Sequence, residues 1–195
     1  GSIMKYILCS LLFVTSLQVF FFFTVTVQWL QHTPAAKVDT IYYNPIRKLT
    51  WPDFKGKPEN RNNALAVTSS GFGYLATMQT RNNKTNIGIT VYCYFSKQDS
   101  WVIPGGESNY ALTHEQHHFD ITYIVAYQFI QKLKVAKFTR HNYDTLLDKI
   151  YTESRLLLKK MQDDYDGQTK NGQLKTIQAD WNDKIDKQLK SLAIN

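Results

Sequence analysis

Hydrophobic and polar residues alternate most cleanly over residues 85–96. Ile87, Ile89, Val91, Cys93 and Phe95 share one face, and Gly88, Thr90, Tyr92 and Tyr94 share the other. A period of two predicts a strand with one face on a core. Asn82-Asn83-Lys84 reads as the turn into it. Residues 64–81 predict two strand pieces that meet at Ser69-Ser70-Gly71, and residues 38–43 (VDTIYY) predict a short first strand. Between them, Trp51-Pro52-Asp53-Phe54 and the Asn-rich stretch around Pro58 read as loop.

Ile103-Pro104-Gly105-Gly106 ends the strand region, and the period then changes to helical. Ser108 or Asn109 can cap a helix that starts near Tyr110 and carries Leu112, Ile121, Ile124, Val125, Phe129 and Leu133 on its apolar side. Thr139 or Asn142 opens a second helix, with Leu146, Leu147, Ile150, Leu157, Leu158 and Met161. Asp166-Gly167 and Asn171-Gly172 predict a stop and a restart. A last amphipathic helix over residues 174–192 places Ile177, Trp181, Ile185, Leu189 and Leu192 on one side. No internal repeat is present. The order of elements predicts an α+β domain: a small antiparallel sheet, a long helix, then two C-terminal helices.

The N-terminal pattern is of another kind. Gly1, Ser2 and Ile3 precede Met4 and read as a cloning remnant. Lys5 follows, and from Ile7 to Leu30 no residue is charged. That run exceeds the roughly 7–15 residues of a signal-peptide core and reaches the roughly 20 of a spanning helix. Gln18 and Gln28 dilute it, and HTPAAK (residues 32–37) offers cleavage after Ala35 or Ala36. Residues 1–36 are therefore expected to hold a signal peptide or an N-terminal membrane anchor. Residues 37–195 are expected to be an exported domain, whether periplasmic, membrane-anchored or secreted.

Composition narrows the function. Of 195 residues, 43% are hydrophobic and 20% charged, which is globular composition. Lys5 is the one charge in residues 1–36, so the remainder carries 22 Lys+Arg against 16 Asp+Glu. This surplus is spread out and forms no basic block, so a nucleic-acid partner is not expected. Only 9 glycines occur, with no G-x-G-x-x-G or Walker loop, which argues against the common nucleotide-binding enzymes. Cys9 lies in the apolar run and Cys93 stands alone in the domain. One thiol makes neither an internal disulfide nor a cysteine-based zinc site.

Three of the five histidines fall in one window, His114-Glu115-Gln116-His117-His118. Read as H-E-x-x-H, it sets His114 and His118 one helical turn apart on one face, where both imidazoles reach one zinc ion. Glu115 beside them is the candidate general base and proton shuttle, acting on a water made acidic by the metal. His117 points elsewhere around the helix and reads as a neighbour. Asp120 is turned about 200° from His118 and is expected to hydrogen-bond elsewhere. A catalytic zinc takes three protein ligands. The metzincin continuation of the motif is absent. Candidates for the third ligand are His141, Asp144, Glu153, Asp166 and Asn171, and spacing alone does not choose among them. Tyr123 is a candidate to assist an oxyanion.

The run Leu112-Thr113-His114-Glu115-Gln116-His117-His118-Phe119-Asp120-Ile121 resembles a bacterial family of unknown function, DUF 922, described as secreted zinc-dependent proteases. The family pattern is HEQGHFDI followed by Glu, with a later YDxETxHG segment leading into a Trp-containing helix. The resemblance continues in Leu49-Thr50-Trp51-Pro52-Asp53-Phe54, in residues 66–74 and in Ser100-Trp101-Val102. It ends with residues 165–172 and 178–181, and so covers the chain after residue 40. It implies a zincin-like fold, export, a zinc cofactor and a protein or peptide substrate. This chain departs from the pattern at His117 (Gly in the family), Tyr123 (Glu), Gln168 (Glu) and Asn171 (His). If that His is the family's third ligand, this chain lacks it. The expected function is an exported zinc metallopeptidase. The alternative is a catalytically impaired relative that serves as a binding or assembly component of the cell envelope, with envelope proteins as partners.

Overall fold

The strand with the cleanest alternation is the one around which the sheet assembles. In the computed structural model, which describes residues 22–30, 39–59 and 64–192, six strands precede three helices. The strands are β1 (Phe22–Trp29), β2 (Thr40–Tyr42), β3 (Ala66–Val67), β4 (Ser70–Arg81), β5 (Lys84–Ser96) and β6 (Trp101–Val102). The helices are α1 (Asn109–Val135), α2 (Tyr143–Thr169) and α3 (Lys175–Leu192). β4 pairs antiparallel with β5 from Arg81↔Lys84 to Ser70↔Phe95. Asn82 and Asn83 close this hairpin with φ of 49° and 58°. Two consecutive positive φ values make the turn whose twist suits a two-residue hairpin, and Asn tolerates them.

The opposite edge of β5 is shared by two strands. β2 pairs with it antiparallel near Phe95, and β1 pairs with it parallel from Phe22↔Lys84 to Trp29↔Val91. The sheet is therefore mixed, not wholly antiparallel as the sequence suggested. β3 and β6 form a separate two-stranded ladder.

The strand β1 also corrects the reading of the apolar run. Residues 22–29 are not helical: Phe23, Val25, Val27 and Trp29 turn inward, and Phe22, Thr24, Thr26 and Gln28 turn outward. The expectation of a signal peptide or membrane anchor rests on the missing charges, whereas residues 22–29 also carry this period of two. Residues 7–21 and the cleavage position at Ala35 or Ala36 lie outside the described residues. No helix among the described residues is long and apolar enough to cross a membrane.

The inner face of β5 packs Ile87, Ile89, Val91, Cys93 and Phe95 against Phe119, Phe129 and Leu133 of α1. Cys93 is a buried apolar filler there, and burial pushes its thiol up. The opposite side of α1 meets α2 and α3 through Ile121, Ile124, Tyr165, Trp181 and Ile185. Thus α1 is the middle layer, between the sheet and the helix pair. Ser108 caps it, with Oγ accepting from the Ala111 N–H at 3.0 Å. The predicted stop at Asp166-Gly167 does not occur, because α2 runs through it to Thr169. A glycine inside a helix costs about 1 kcal/mol, and the burial of the neighbouring Tyr165 offsets it. The chain turns at Lys170, Asn171 and Gly172 instead, with φ of 54°, 52° and 78°.

Candidate metal centre

Because α1 is the middle layer, both of its faces are buried, and its histidines divide between them. His117 faces the β2 side. Its Nδ1 meets the Asp120 carboxylate at 3.1 Å. Asp120 is fully buried and also accepts from the Tyr43 hydroxyl at 2.8 Å and from Gln116 Nε2 at 3.0 Å. Gln116 Oε1 in turn accepts from the Leu49 N–H at 2.7 Å. This network seats the segment before the Trp51–Asp53 turn on α1. Tyr123 is likewise on the sheet side, stacked on Tyr43 with ring centroids 4.0 Å apart, so it is not available to an oxyanion in the cleft.

His114 and His118 face α2 and α3. Their Nε2 atoms lie 3.2 Å apart. Asp166 Oδ1 lies 3.2 Å from the first and 3.0 Å from the second. Of the five candidates for a third ligand, Asp166 alone joins the pair, and the three residues form a group able to hold a metal ion. His141, Asp144 and Glu153 are exposed and outside the group, and Asn171 lines the neighbouring cleft without joining it. Metal bonds of about 2.0–2.2 Å in a tetrahedral site set donor atoms roughly 3.3–3.6 Å apart. The three atoms need to open by only a few tenths of an ångström to meet that spacing.

Two glutamines orient the imidazoles. Gln178 Nε2 donates to the Tyr165 hydroxyl at 2.5 Å and to Asn182 Oδ1 at 2.6 Å, which leaves its Oε1 facing His114 Nδ1 at 2.7 Å. Gln162 Nε2 donates to the His118 carbonyl at 2.9 Å and to Thr122 Oγ1 at 3.2 Å, so its Oε1 faces His118 Nδ1. Each amide oxygen accepts the Nδ1 proton and leaves Nε2 to the shared point, which is how a metal-ligating His is usually held. Tyr165 stacks on the His114 ring at 4.6 Å. On the far side, Gly172 lies so close that a Cβ there would sit 3.3 Å from His114 Nδ1. The sequence reading missed Gln162 and Gln178. A signal was present: Gln162 and Asp166 are one turn apart on α2, as His114 and His118 are on α1.

The electrostatics favour a cation. Burial pushes the His118 imidazole down, but the hydrogen bond and charge of Asp166, with Glu115 and Gln162, outweigh it and bring it up to about 9. Burial pushes the Asp166 carboxyl up, and the two imidazoles more than reverse this, holding it well below the usual carboxylate range. Glu115 is 4% exposed, and its Oε2 has no hydrogen-bond partner. A buried carboxylate oxygen left bare is costly and points to a missing partner. Its carbonyl accepts from Thr68 Oγ1 at 3.0 Å, which fixes the cleft wall to the helix.

Glu115, His114, His118 and Asp166 all line one open cleft of about 1120 Å³. Residues 64–70, Tyr110, Asn171 and Gly172 also line it. The donor set, two imidazoles and a carboxylate, suits zinc among other divalent transition metals. Comparison of the chain with protein-family models, with curated proteins and with solved structures returns no match.

Proposed function

We propose that this protein is a zinc-dependent peptidase of zincin-like kind, exported and acting on protein or peptide substrates at the cell envelope. One observation carries the reading: His114, His118 and Asp166 converge beside a buried Glu115 with an unpartnered oxygen, in a cleft open to solvent. The resemblance to DUF 922 and the uncharged N-terminal run support export. His114, His118 and Asp166 would hold the metal. When bound, zinc supplies a Lewis acid that makes water nucleophilic near neutral pH. Glu115 would take a proton from the attacking water and return it to the leaving amine. Gln162 and Gln178 keep both Nε2 atoms turned toward the metal point.

The resemblance made Asn171 the doubtful position, since the family tends to have His there. Asp166 offers a candidate third ligand without it. The alternative, a non-catalytic envelope component, lacks the turnover, and one series of measurements separates the two. The chain is purified without chelator as wild type, His118→Ala and Asp166→Ala, and zinc is counted by elemental mass spectrometry. One zinc per wild-type chain, lost in both variants, is expected. Peptide-library cleavage by the wild type and not by Glu115→Gln supports the peptidase, whereas zinc without cleavage supports the binding component. A folded wild type that takes up no zinc when supplied with it overturns the peptidase and leaves the binding component.

A further inference from the structure

The uncharged run that reads as an export segment and the edge strand of the sheet share the same eight residues. β1 sends Phe23, Val25 and Val27 into the core, and the Trp29 ring stacks on Tyr123 of α1 with centroids 5.3 Å apart. Phe23 meets Tyr143 at the head of α2 at 6.0 Å. The backbone ladder is closed at both ends, by the Phe22 N–H donating to the Asn83 carbonyl at 3.1 Å and the Leu30 N–H to the Val91 carbonyl at 2.9 Å. A segment cannot be a strand in this sheet and a helix in a membrane at once. With residues 22–30 committed to the sheet, the uncharged run shrinks to residues 7–21. That is the size of a signal core and short of the roughly 20 residues of a spanning helix.

We infer that Phe22–Trp29 is a fold-completing strand retained in the mature protein, so that processing of the apolar run falls before Phe22 and not at Ala35 or Ala36. Removing it would leave the β5 backbone from Lys84 to Val91 unpaired along one edge, above an apolar floor. Such an edge invites pairing with other chains. The inference is independent of the metal.

Two measurements test it. The full chain with a C-terminal tag is expressed in an exporting bacterial host, and the mature product is weighed intact. A processed product whose first residue is Phe22 or earlier is expected; a folded product that starts after Phe22 overturns the inference. In the purified full chain, the inward pair Val25→Ala/Val27→Ala is compared with the outward pair Thr24→Ala/Thr26→Ala. Thermal unfolding of the inward pair is expected about 5 °C or more below wild type, with the outward pair close to wild type. Equal effects of the two pairs, or none, overturn the strand. If the inward pair fails to fold while the outward pair folds, the strand is upheld, and Val25→Thr supplies the graded shift.

Discussion

Gln178 and Gln162 hold the chemistry of the site without touching the metal point. Replacing either by Leu keeps the volume and removes the acceptor for an imidazole Nδ1 proton. Loss of such a supporting bond typically costs 10–100-fold in metal affinity, and a competitive zinc titration of Gln178→Leu and Gln162→Leu is expected to fall in that range, with Gln→Glu retaining more than Gln→Leu. A second carboxylate gives a pH signature. Burial pushes the Asp53 carboxyl up, but Arg47 at 2.7 Å and the Thr50 N–H and hydroxyl at 2.9 and 3.0 Å hold it below its ordinary value. A depressed folded value adds stability above the unfolded value and loses it as pH falls through the folded one. Asp53→Asn is therefore expected to unfold at lower temperature than wild type at pH 7, with the gap closing as pH drops below about 4. The histidine pair was legible because i and i+4 on a helix is a geometric statement. Asp166 was legible only as one of five, since its partner helix is over forty residues away. The glutamines were not legible, because a neutral amide shows its role only when its neighbours are known.

The turn between α2 and α3 joins the site to the helix pair. Gly172 has φ +78°, and a Cβ there would press on His114 at 3.3 Å. Gly167 lies inside α2 with nothing within 4 Å of a Cβ. The two glycines therefore predict opposite results. Gly172→Ala is expected to destabilise by about 1–2 kcal/mol and to weaken zinc binding, whereas Gly167→Ala is expected to stabilise by up to about 1 kcal/mol; chemical denaturation of both checks the signs. The sequence offered no way to tell these glycines apart, and so it predicted a break at both. It placed β5 and the three helices well, because their periods are long and their cap and turn residues distinct. It missed β1 because charge and periodicity pointed different ways there, and the missing charges dominated. The parallel pairing was out of reach for a similar reason: the partner strand lies some sixty residues downstream.

The layers of the molecule meet at α1, and the candidate metal centre lies on its seam with α2, so a bound ion would clamp the second layer to the third. Zinc at 100 times its dissociation constant adds about 2.7 kcal/mol of stability. Thermal unfolding of the wild type is expected to rise on zinc addition, and that of Asp166→Ala to stay near its metal-free value. The sheet reaches this seam through Ser70 Oγ, 2.7 Å from the Thr122 hydroxyl that Gln162 also meets, and its parallel edge responds to another variable, time. β1 leaves the ribosome first, yet Thr24 hydrogen-bonds Asn86 62 residues later in the chain. At roughly 5–20 residues per second, synthesis keeps this aromatic and β-branched strand waiting roughly 3–12 seconds for its partner. During that interval the chain holds an unpaired apolar strand and no finished sheet, so the parallel edge closes only after the β4–β5 hairpin has been made.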